Sequence, residues 1–97
     1  MDKLKKFELM EKITNELTDL KHSQTAVIQK IGKIEVDNME LNDKKLIAKL
    51  PDMHQKVADI LDDITEILEN FDAVKNSFEE KNDIEGLREQ EAIDNLK

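Results

Sequence analysis

Nine positions between Leu50 and Phe78 constrain this chain more than any other feature. Leu50, Met53, Val57, Ile60, Ile64, Ile67, Phe71, Val74 and Phe78 follow one another at alternating steps of three and four, and all are apolar. That spacing keeps one stripe of a slightly under-wound helix turned toward a partner helix. Ala58, Leu61 and Leu68 widen the stripe beyond what a two-stranded coil needs, so three or four helices in cross-section are expected.

A second stripe precedes it. Met10, Ile13, Leu17, Leu20, Val27, Ile31 and Ile34 keep the same spacing, with Gln24 as its one polar member and Phe7, Leu9 and Ile28 on its flanks. A polar residue in a seam lowers stability but can fix register or oligomer state; a solvated edge is the other reading of Gln24. The two stripes are two residues out of step across Gly32 to Asp43, where Asp37-Asn38 and Asn42-Asp43 are helix-ending and helix-capping residue types. A turn within Glu35 to Asp43 is favoured over one rod that changes its buried face.

The resulting expectation is a single all-α unit over residues 1–97, a long helical hairpin or bent rod that forms a coiled coil or helical bundle with partner helices. Its parts are a helix over 3–34, a turn or register change over 35–43, a helix over 44–81 kinked near Pro51, and a weakly ordered tail over 82–97. Proline removes a backbone donor and disfavours helix in the residue before it, hence the kink. Gly86 and the charge of the tail weaken any final helix carrying Ile84, Leu87, Ile93 and Leu96.

Composition limits what these stripes can pack against. Of 97 residues 38% are apolar and 39% charged, with three Phe and no Trp or Tyr, so burial has to come from aliphatic stripes. The net charge of −8 argues against nucleic acid, whose phosphates call for clustered Lys and Arg. Without cysteine there is no disulfide framework, thiolate metal site or thiol nucleophile. No apolar run reaches the roughly 18 residues of a spanning helix, and Met1 to Lys6 does not lead into a signal-peptide core. Direct membrane insertion is not expected, and a cytoplasmic location is the default.

No catalytic constellation is recognisable. His22 and His54 belong to no metal-binding pair and read as surface residues, and Asp59, Asp62, Asp63, Glu66 and Glu69 read as a solvated acidic ridge. Ser23, Thr25 and Ser77 have no base and orienting acid at useful spacing, and Gly32 and Gly86 make no phosphate loop. Lys3, Lys5 and Lys6 are followed at once by Glu8 and Glu11, so solubilising charge is preferred to a membrane contact. Neither an enzyme nor a cofactor is expected. The candidate partner interface comprises Met10, Ile13, Leu17, Leu20, Gln24, Val27 and Ile31 of the first helix. Met53, Val57, Ile60, Leu61, Ile64, Ile67, Leu68, Phe71, Val74 and Phe78 complete it on the second. Other helical proteins are the expected partners, in a hetero-complex or a homo-oligomer.

The run Leu50-Pro51-Asp52-Met53-His54-Gln55-Lys56, with Ile64, Leu68-Glu69, Phe71 and Val74 after it, resembles the central helix of cappuccino-type subunits of the lysosome-related-organelle biogenesis complex. Leu20 to Ile34, with Ser23-Gln24 ahead of the aliphatic positions, is similar to snapin and its relatives in that complex and in the lysosome-positioning complex BORC. The resemblance implies a non-enzymatic rod subunit bundled with other small subunits, peripheral to endosomal and lysosomal membranes. A competing class is a bacterial or phage chaperone, secretion partner or assembly scaffold. Proteins of the WXG type share the length and the hairpin, but Asp37-Asn38-Met39 stands where their Trp-x-Gly turn would be.

Overall fold

Asp2 starts the first helix by accepting a hydrogen bond from the Lys5 backbone N–H at 2.8 Å, which satisfies one of the donors a helix N-terminus leaves open. The computed structural model describes residues 1–96. It places α1 at Lys3–Leu41, α2 at Lys44–Lys81 and α3 at Ile84–Asn95. α1 and α2 fold back on each other as an antiparallel hairpin, and α3 lies against its open end. The rod measures 70 × 24 × 17 Å, with a radius of gyration of 21.2 Å against about 12.5 Å for a compact domain of this length.

The hairpin turn is shorter than the residue types suggested. α1 runs seven residues beyond Ile34, and only Asn42 and Asp43 separate the two long helices. Asn42 takes the left-handed conformation, φ 59° and ψ 41°, and its N–H returns to the Asn38 carbonyl. Asparagine tolerates this geometry better than most residues. Asp43 then caps α2 through a 3.0 Å bond from the Leu46 N–H. Asp37 and Asn38, expected to end a helix, lie inside one.

α2 is continuous from Lys44 through Pro51. The proline falls in the second turn and is exposed, so the single backbone bond it removes leaves a carbonyl within reach of water. The segment from Lys44 to Leu50 is therefore part of the main helix.

The tail also departs from expectation, because α3 is formed. Asp83, at φ 46°, caps it through the Gly86 N–H at 3.3 Å. A Cβ on Gly86 would stand 2.2 Å from an Asp83 carboxylate oxygen, so any larger residue there would displace the capping side chain. Ile84 is 1% exposed and Phe7 2%, making them the two most enclosed side chains. Arg88 lies over the Phe7 ring, 5.2 Å from its centre, and pairs with Glu11. Lys97 lies outside the described residues.

Candidate interaction surface

Each long helix carries its seam as two columns of residues seven apart, and the hairpin treats the two columns differently. On α1 the inner column is Met10, Leu17, Gln24 and Ile31, all half-buried or buried, and on α2 it is Leu50, Val57, Ile64, Phe71 and Phe78, again half-buried or buried. The outer columns stay in solvent. Leu20, Val27 and Ile34 follow the half-buried Ile13 on α1; Met53, Ile60, Ile67 and Val74 are exposed on α2. Of the expected interface residues outside these columns, Leu61 and Leu68 are half-buried on the inward side of α2.

The reason lies in the rotation of the helices. Besides the inner columns, α1 turns Thr14, Lys21, Ile28 and Glu35 toward its partner, and α2 turns His54, Leu61, Leu68 and Lys75; all eight are half-buried. The α1–α2 contact is thus centred one column away from the apolar seam, a rotation of about 50° on a helix of 3.5 residues per turn. Half of each seam closes the hairpin, and the other half faces outward.

Both outer columns lie on the same side of the rod. Lys6, which continues the α1 column toward the open end, lines one groove together with Val74 and Lys81 of the α2 column. α3 occupies the other side: Leu4 and Leu87 line a groove there, and Arg88 reaches Glu11. That second edge bears small and polar residues, Thr18, Thr25 and Gly32 on α1 and Ala58 and Thr65 on α2. Its threonine hydroxyls donate to carbonyls one turn back in their own helices at 2.9 Å. It is neither greasy nor short of hydrogen bonds.

Of three polar residues on the inward faces, spacing marked Gln24 as a seam position but did not mark Asn38 or His54. Asn38, 5% exposed, binds the turn through Asp43; an asparagine five residues ahead of a capping aspartate was the available signal. His54, read as a surface residue, sits between the helices with Nδ1 2.8 Å from Glu35 Oε1. Gln24 is half-buried, and among the described residues its amide forms no hydrogen bond.

The acidic ridge from Asp59 to Glu69 is exposed. Among the described residues no three metal-binding side chains come together, and no helix is long and apolar enough to cross a membrane. No family model matches the sequence, and comparison with curated proteins and with solved structures gives no match.

Proposed function

We propose that this chain is a non-enzymatic helical interaction protein, a building block of a multi-protein assembly that works by adding helices to its exposed apolar face. The observation that carries this reading is the pair of outer columns on one side of the rod, Ile13 to Ile34 and Met53 to Val74. Single apolar side chains on a surface need no explanation, but a continuous double column marks an interaction surface. The rod subunit implied by the resemblance of Leu50 to Lys56 and Leu20 to Ile34 is one setting for such a face, and the proposal extends to that setting.

The test is affinity capture of the tagged chain from its native host, with mass spectrometry of what comes with it. Wild-type chain is expected to bring helical partners or untagged copies of itself, and Ile60→Asp with Ile67→Asp to lose them. Recovery of the same proteins by both chains would contradict the assignment of this face.

A further inference from the structure

We propose that the exposed face binds a second copy of this chain, with the two hairpins antiparallel, to make a four-helix bundle. This rests on the interaction role proposed above and names its partner. In a four-helix bundle the core lies about 45° from the line joining two neighbouring helices. The seam on both helices is turned away from the α1–α2 contact by nearly that angle and to the same side, so one further hairpin laid on this face would receive both outer columns.

The patch is symmetric in the way a two-fold axis requires. The α1 column is centred between Ser23 and Gln24 and the α2 column between Asp63 and Ile64. The Glu35–His54 and Lys6–Phe78 contacts set the register of the hairpin and bring both centres to one height. An axis through that point maps each column onto itself, placing Ile13 against Ile34 of the second copy and Leu20 against its Val27. Gln24 falls beside the axis, where its amide, without a partner in the described chain, meets its own copy as both donor and acceptor.

Charge selects both the occupant and the orientation. The chain as a whole carries −8, which would suit a basic partner. The shoulders of this face are balanced instead: Glu16, Asp37 and Asp63 against Lys30, Lys49 and Lys56. In the antiparallel arrangement Glu16 meets Lys30 of the second copy twice, and Asp63 facing itself is the one like-charge meeting on the shoulders. With the hairpins parallel, Lys30 would face Lys56 and Lys6 would face Lys81, each twice, and only Asp37 against Lys49, also twice, would attract.

The area is sufficient. Apart from the half-buried Ile13, the outer side chains are exposed by between 39% at Val27 and 53% at Ile67 and Val74, roughly 550–600 Å² of apolar surface in all, at the top of the ~300–600 Å² that the largest patch of a lone soluble chain usually reaches. With the shoulders covered as well, the contact approaches the ~800 Å² per partner of a standard interface. α3 sits on the opposite edge and does not obstruct it.

Sedimentation equilibrium of the purified full chain, read with circular dichroism, tests the pairing. Wild type is expected at twice the chain mass, and Ile60→Asp with Ile67→Asp at the single mass with its helix signal kept, because both side chains are about half exposed in one hairpin. Cross-linking tests the arrangement without a disruptive change. Ser23→Cys chains should form a disulfide-linked pair in high yield, and a mixture of Lys30→Cys and Lys56→Cys chains should not. A single-chain mass for wild type, or a double mass that survives both aspartates, overturns the proposal. Linkage of Lys30→Cys to Lys56→Cys in place of Ser23→Cys overturns the antiparallel arrangement. A single-chain mass with partner capture that still depends on Ile60 and Ile67 removes self-pairing alone; loss of that dependence as well removes the interaction role.

Discussion

Asn38 holds both backbone groups of Asp43: its Oδ1 accepts from the Asp43 N–H at 3.0 Å and its Nδ2 donates to the Asp43 carbonyl at 3.1 Å. One buried side chain thus fastens the end of α1 to the start of α2. With Asn42 in the left-handed conformation between them, the direction in which the hairpin closes is set at this turn.

Asn38→Ala would leave those groups without partners in a covered site. A destabilisation of about 1–3 kcal/mol is expected in urea unfolding, with the folded helix signal unchanged. A loss below about 0.5 kcal/mol, the usual range for a surface change, would show that the turn does not depend on this residue.

The order of α3 should depend on its first turn. Ile84→Ala removes an almost fully enclosed side chain and is expected to cost about 2–5 kcal/mol, seen first as lost amide-exchange protection in α3. Ile93→Ala, at a side chain 50% exposed, should change little. Equal effects would mean that α3 is held by something other than the junction of Ile84, Phe7 and Arg88.

The all-α hairpin could be read from the repeat, but the division of each seam could not. Leu20 and Ile31 are both strongly apolar members of one three-four stripe, yet one is exposed and the other buried. Periodicity fixes the direction of a stripe on its own helix. Which part meets the neighbouring helix depends on how the turn rotates α2 against α1, and that is set by Asn38, Asn42 and Asp43. Phe7, which had looked like a flank, is central because α3 closes over it. That contact joins residues about eighty positions apart, and no local pattern records it. The inward positions of Lys21, Glu35 and His54 were hidden by their polarity, since charged residues usually mark a solvated face.

The Glu35–His54 pair should contribute little, because the two side chains are 32% and 41% exposed. A double-mutant cycle with Glu35→Gln and His54→Ala is expected to give a coupling below about 1 kcal/mol that falls with added salt. A larger coupling, insensitive to salt, would mean that the pair is drier in the assembled state than in one hairpin.

Shoulder charges offer a swap experiment on self-association. Glu16→Lys should weaken pairing by about two- to thirtyfold, given ~0.2–1 kcal/mol for each of two exposed pairs. Adding Lys30→Glu to the same chain should restore it. Asp63→Asn, which relieves the one like-charge meeting on the shoulders, should tighten pairing in the same sedimentation assay. If the double variant is weaker than Glu16→Lys alone, Glu16 and Lys30 do not face each other across copies.

The most direct measurement is a filtered nuclear Overhauser experiment on a mixture of isotope-labelled and unlabelled chains, reading the methyl groups of Ile13 and Ile34. Within one α1 they are about 32 Å apart at 1.5 Å per residue, far beyond the reach of the effect. A cross-peak between Ile13 of one chain and Ile34 of the other is expected if the seam closes on an antiparallel second copy. No intermolecular peak at either methyl, or peaks linking Ile13 only to Val74 of the other chain, would contradict it.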